Sequence, residues 1–255
     1  MTPTLLGAAL VVEARKAASA RVVTGTTILL IVGVAVLGGA STTAAASGNE
    51  QLLAKLGPLA AQGGWPSLLS TVSQVTAAGG LLAFGVALSW LVGREFADGT
   101  VTGLFALPVS RPTIALAKLI VYLLWSVVVA TLLVLLVAGL GFAVATGAFD
   151  GAASTALLRL WALTVLTALL AVPAGWAATI GRGLLPGIAT TIAILAATQV
   201  MVVAGTGGWI PLAAPALWAI VPGSVSGAQM SLVPLVPLTF GLLTLSAWRR
   251  LQLDR

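Results

Sequence analysis

The chain has 255 residues, of which 59% are hydrophobic and only 7% charged, with a formal net charge of +6 and a mean hydropathy of +1.13. A soluble domain carries about a quarter charged residues, so this chain has too few polar groups to cover its own surface in water and takes lipid as its solvent. It holds no cysteine and no histidine, which excludes disulfides, thiolate and imidazole metal sites, cysteine nucleophiles and histidine acid–base chemistry.

Six carboxylates remain for acid–base work: Glu13, Glu50, Glu95, Asp98, Asp150 and Asp254. No catalytic constellation, cofactor site or metal set is expected from them. The cations sit at the ends of apolar runs, without the interleaved aromatics of a nucleic-acid stripe, so they read as topology signals and nucleic acid is not an expected partner. Glu13, Arg15, Lys16 and Arg21 precede the first long apolar run, and the pattern of a cleaved signal is missing, so the N-terminus is kept as part of the mature protein.

A bilayer-spanning helix needs about 20 mostly apolar residues. The charge-free windows are 22–49, 56–93, 119–149, 160–181 and 183–248. The last is too long for one helix and is broken by Gly205, Gly207, Gly208, Pro211, Pro215, Pro222 and Gly223. Expected spans are therefore 22–40, 72–93, 117–146, 157–180, 184–204 and 229–248. An all-α, polytopic protein with one transmembrane domain over residues 1–255 follows, with no nucleotide-binding domain.

Ahead of the first span, residues 4–20 form a weakly amphipathic segment that suits a helix lying along the interface, or else an ordinary start to the first span. In the fourth span Pro173 is expected to kink or weaken the helix. The stretch 205–227, apolar but helix-breaking, is expected to be an irregular, re-entrant or lid-like connection.

Six spans place both termini on one side. Ten cations fall there (Arg15, Lys16, Arg21, Arg94, Arg111, Lys118, Arg182, Arg249, Arg250 and Arg255) against Lys55 and Arg159 on the other. By the positive-inside rule the termini are expected in the cytoplasm, in a multi-pass protein of the plasma membrane. Trp90, Trp125, Trp176 and Trp248 fall toward one boundary and Trp65, Trp161, Trp209 and Trp218 toward the other, as two aromatic belts would.

The connection between the second and third spans carries Arg94, Glu95, Asp98, Arg111 and Lys118. Its punctuation predicts a turn at Asp98-Gly99, then a short helix capped by the Thr100 hydroxyl that exposes Leu104 and Phe105 and ends at Pro108. Ser110 is placed to cap the third span, with Pro112 in its first turn. From the charges alone, a plain loop obeying topology rules is an equal reading.

That stretch, "GREFADGTVTGLFALPVSRPTIALAKL", resembles the cytoplasmic segment of permease subunits of type-2 ATP-binding-cassette transporters. Glu95, Gly99 and Thr100 match an E-x-x-x-G-T pattern, Leu107 to Arg111 match L-P-V-S-R, and Lys118 is the lysine entering the next helix. Glu13 and Lys16 give the E-x-x-K-like charges of the N-terminal segment.

The resemblance implies a half-transporter that pairs as a homodimer or heterodimer with a second permease and is driven by separate cytoplasmic ATPase subunits. It places Arg15, Lys16, Arg94, Glu95, Asp98, Gly99, Thr100, Leu104, Phe105, Pro108, Ser110 and Arg111 at the ATPase-coupling interface, with the short helix as a coupling helix. ATP and Mg would bind the partner. The chain itself is no ATPase, since the G-x-x-x-x-G-K-S/T loop needs a Gly-Lys pair that it lacks.

Within the spans, Gln74 and Gln199 are candidates for a substrate path, and Gln199 is expected to face the bundle interior because an amide in hydrocarbon needs partners. No ionisable residue falls at mid-membrane, which weighs against a proton- or sodium-coupled carrier. The leading reading is an exporter of a hydrophobic or amphipathic compound such as a drug, antibiotic, peptide or lipid. The alternatives are an ATPase-independent carrier or channel, or a membrane immunity or scaffold protein.

Overall fold

Among the described residues of the computed structural model, six helices are long and apolar enough to cross a membrane: Arg21–Ala44, Gly64–Ala97, Arg111–Val144, Gly151–Ile180, Leu184–Val203 and Gly227–Arg249. The structure describes residues 3–47, 64–144 and 147–252. Glu50, Lys55, Asp254 and Arg255, which enter the charge reading above, lie outside the described residues. No strand occurs among the described residues, as expected where lipid offers no hydrogen bonds and each span must satisfy its own backbone.

In chain order the elements are α1 (Pro3–Ala18), α2 (Arg21–Ala46), α3 (Gly64–Val75), a π turn (Thr76–Gly80), α4 (Leu81–Ala97), α5 (Val101–Leu104) and α6 (Arg111–Val144). There follow α7 (Gly151–Leu170), α8 (Val172–Ile180), α9 (Leu184–Val203), a 3-10 turn (Gly207–Trp209), α10 (Ala214–Ile220), α11 (Gly227–Met230) and α12 (Leu235–Arg249). The first apolar segment is a separate helix: α1 ends at Ala18, the chain turns at Ser19 and Ala20, and α1 then packs on α6 rather than extending α2. The second span begins eight residues before the expected 72, because Trp65, Leu68, Leu69 and Val72 supply a buried apolar face.

Pro173 interrupts the fourth span. The helix stops at Leu170 and restarts at Val172, where a residue with no N–H sits in the first turn at no cost. Residues 205–227 are irregular as expected, yet they hold a short helix, α10, which packs against α7 and α3 with Ala213 and Ala214 fully buried; the irregularity runs on past α11 to Pro234, inside the sixth span expected from 229.

The tightest pairing is α4 on α9, with α8 on their other flank. Small residues make it possible: a Cβ at Gly85 would strike the Thr191 side chain, and one at Gly187 would strike the Ser89 side chain and the Ala174 carbonyl. Backbones that approach this closely gain dispersion contacts along their length, the main attraction between helices in lipid.

Several of the tryptophans expected to form aromatic belts serve packing instead. Trp248 is buried and donates its indole N–H to Thr179 Oγ1 at 3.1 Å, and Trp125 donates to Thr27 Oγ1 at 3.0 Å. Trp65 is also buried, set edge-on to Phe142 and Phe149.

Candidate functional site

The chemistry gathers at the end of the bundle that carries the termini, where α1, the last turn of α4 and the start of α6 meet. Glu13 and Lys16 lie one turn apart on α1, Glu95 closes α4, and Lys118 lies two turns into α6. Lys118 is 2% exposed, Glu13 3% and Glu95 6%.

Their side chains close a ring. Lys118 Nζ donates to Glu13 Oε2 at 2.7 Å and to Glu95 Oε1 at 2.8 Å. Lys16 Nζ donates to Glu13 Oε1 and to the same Glu95 oxygen, each at 2.9 Å. The second Glu95 oxygen accepts from Thr100 Oγ1 at 2.7 Å. Two carboxylates and two ammonium groups balance one another, so each buried charged group has an oppositely charged partner. Burial lowers the pKa of the half-buried Lys16, but its hydrogen bonds to Glu95 and Glu13 outweigh that and leave it raised. A raised lysine contributes fully below its ordinary value and loses that contribution only as pH climbs through the raised one, so the contribution of Lys16 is present at neutral pH.

Around this ring lies the connection of residues 98–110. Arg94, Asp98, Gly99 and Thr100 are exposed, and Arg94 Nε pairs with Asp98 Oδ2 at 2.8 Å as an i,i+4 pair on the surface. The short helix α5 forms where predicted and is held to one turn, with Thr100 at its N-cap position. Two details differ from expectation. The Thr100 hydroxyl accepts no cap bond: its backbone is already helical rather than extended, and its O–H donates instead to the Glu95 carboxylate. Leu104 is not exposed: at 9% accessibility it turns in to the core, and the half-buried Phe105 instead lies under the Arg111 guanidinium, 4.7 Å from its ring centre.

Ser110 occupies the expected position before α6 and bonds the Thr113 hydroxyl at 2.6 Å, while the Thr113 N–H uses the Ser110 carbonyl at 2.9 Å. Pro108 is exposed in the turn that follows α5. Arg15 is exposed on α1, one residue from Lys16 but outside the ring.

Of the expected interface residues, then, Lys16, Glu95 and Thr100 are drawn together by ion pairs and hydrogen bonds, Arg94 and Leu104 line the same cleft, and Phe105, Ser110 and Arg111 line a separate groove beside α12. Glu13 and Lys118 were not among the site residues expected from sequence. The signal for Lys118 was present: a single lysine inside the apolar run 114–124 must find a carboxylate once buried, and few carboxylates lie at that end.

The two glutamines require a correction. Gln199, expected to face the bundle interior, is exposed, and so is Gln74. The α4–α9 register, in which Gly85 meets Thr191 and Ser89 meets Gly187, places the two amides within about one helical turn of the same depth. The span hydroxyls need no cross-helix partner: Thr131, Thr164, Thr190, Thr191 and Thr198 each donate to the carbonyl four residues back in their own helix. Ser67, Thr71 and Thr76 are different, being buried with hydroxyls that have no partner among the described residues.

No group of residues suited to holding a metal ion occurs among the described residues. No curated protein matches the chain. A family model described as "ABC-2 family transporter protein" matches residues 27–199, which take in the second, third and fourth spans whole and most of the first and fifth, the ring residues Glu95 and Lys118, and the whole 98–110 connection. The match covers well over half of the sequence, and the chain belongs to the ABC-2 transporter family as a membrane permease.

Proposed function

We propose that this permease is the membrane half of an exporter driven by a separate cytoplasmic ATPase, with both termini in the cytoplasm. The observation that carries the reading is the ring of Glu13, Lys16, Glu95 and Lys118. It ties three helices rigidly behind an exposed, charged turn, which is what a docking element needs if a push from outside is to move the spans rather than bend a loop.

In this reading Arg15, Arg94, Asp98, Gly99, Thr100, Phe105, Pro108, Ser110 and Arg111 meet the ATPase. Glu13, Lys16, Glu95, Leu104 and Lys118 act as positioning residues behind them. ATP and Mg bind the ATPase subunit. A second permease, the same chain or a related one, covers the α4–α9 flank, where the exposed Gln74 and Gln199 gain partners or line a path for an amphipathic compound. An amide left against acyl chains is costly, which favours such a cover.

Co-purification from native membranes tests the assembly: an ATPase subunit in stoichiometric amount is expected, together with ATP-dependent extrusion from inverted vesicles. Recovery of the permease alone, with transport undiminished when ATP is depleted, would sink the proposal.

A further inference from the structure

At the same end of the bundle, but on its flank, a groove of about 690 Å³ runs between α5, the first turns of α6 and the last turns of α12. Its rim carries Arg111 and Arg249. Its apolar floor is formed by Leu116 and Leu245, and Leu104 and Phe105 close it from the α5 side. Leu116 lies five residues into α6 and Leu245 four residues before the end of α12, so the floor is about 6–8 Å deeper along the helices than the arginines. The polarity therefore changes from cationic to hydrocarbon over the distance at which a bilayer leaflet changes from headgroup to acyl chain.

The two arginines have donors to spare. Arg111 uses one N–H on the Leu251 carbonyl and stacks on Phe105; Arg249 is exposed and makes no hydrogen bond or ion pair among the described residues. Arg182 and Arg250 line the neighbouring cleft, and Arg182 donates to the Gln252 carbonyl at 2.9 Å. Among the described residues no carboxylate pairs with any of these four arginines. The N-terminus of the long helix α6 opens into the same groove at Ser110 and Pro112, adding its positive dipole end.

We propose that this groove binds one anionic phospholipid of the leaflet on the side of the termini, its phosphate on Arg111 and Arg249 and an acyl chain along Leu116 and Leu245. Forked guanidinium donors match a phosphate's geometry. Leu116 and Leu245 lie deeper along the helices than the residues proposed to meet the ATPase, which singles out lipid over an acidic segment of a partner for the apolar part of the groove. The lipid would brace α12 against α5, joining the last span to the connection that follows α4.

Native mass spectrometry of the full chain, exchanged into micelles holding equal amounts of phosphatidylglycerol and phosphatidylcholine, tests this without any ATPase present. Its outcome is therefore independent of the proposed transport mechanism. One phosphatidylglycerol per chain is expected to stay bound, and Arg249→Gln is expected to lower its retention about tenfold, the loss of a charge-assisted contact. Leu245→Trp, which fills the apolar part, lowers it as well. Arg21→Gln removes a charge at the same end outside the groove and leaves retention unchanged. If Arg249→Gln does not fold, Arg249→Lys is expected to give an intermediate loss. Equal retention of the two lipids, equal losses in Arg21→Gln and the Arg249 variant, or displacement of the lipid by millimolar inorganic phosphate would each overturn the assignment.

Discussion

The two ends of the bundle are held together by different forces. At the end with the termini, four charged side chains close a ring of ion pairs across α1, α4 and α6 at 2.7–2.9 Å. At the far end no ion pair occurs among the described residues. Trp65 instead sits among Phe142 and Phe149, with ring centres 5.2–5.3 Å apart, and lies against Gly141, where a Cβ would meet its ring. Asp150 there caps α7 by accepting from the Ala153 N–H at 2.8 Å, and Arg159 stacks on Trp218. Ion pairs out of water fix a geometry, because any displacement leaves a buried charge uncompensated. Aromatic faces slide and separate at smaller cost. A machine pushed at one end and opening at the other would be built this way round.

Four substitutions break or sharpen that contrast. The largest effect is expected from Lys118→Met, which leaves Glu13 and Glu95 sharing Lys16 alone, one buried carboxylate charge uncompensated, and costs about 3–5 kcal/mol in reversible unfolding in detergent. Adding Glu95→Gln to that variant should recover part of the loss; a simple sum of the two single effects would mean that the ring is no unit. Next comes Gly187→Val, which drives a side chain into Ser89 and the Ala174 carbonyl and is expected to cost about 2–3 kcal/mol by overpacking, read as a lower melting temperature.

Trp65→Ala at the far end is expected to cost less, roughly 1–2 kcal/mol, since in lipid only packing contacts are lost and not transfer from water. A loss as large as that of Lys118→Met would remove the contrast between the ends. Smallest in stability is Arg94→Gln, which breaks a half-exposed i,i+4 pair and should shift unfolding by no more than about 0.5 kcal/mol. ATP-dependent flux is nevertheless expected to fall in that variant, and flux at the wild-type level would remove the exposed turn from the docking surface.

Much of this was legible in the residues. The charge-free windows located all six spans, and Pro173 marked the break in the fourth. The punctuation of residues 98–112 located α5 and the start of α6. The candidate site was legible as a stretch of chain but not as an arrangement. Glu95 and Leu104 read as surface residues because both lie in a connection, yet each turns inward, one to Lys118 and one to the core. Gln199 read as interior because amides avoid lipid, yet the face of α9 that packs on α4 is the one carrying Gly187 and Thr191, which leaves the glutamine outside.

Hydropathy and helix-breaking residues are local properties, read within a window of about 20 residues, and by themselves they determined the number of the spans and their approximate positions. Which face of each helix is buried, and which charge meets which, depends on contacts between residues as distant as Glu13 and Lys118, 105 positions apart. Only the tertiary structure decided that, because a carboxylate and an ammonium become partners when packing removes water from both, and nothing in the neighbourhood of either residue records the other.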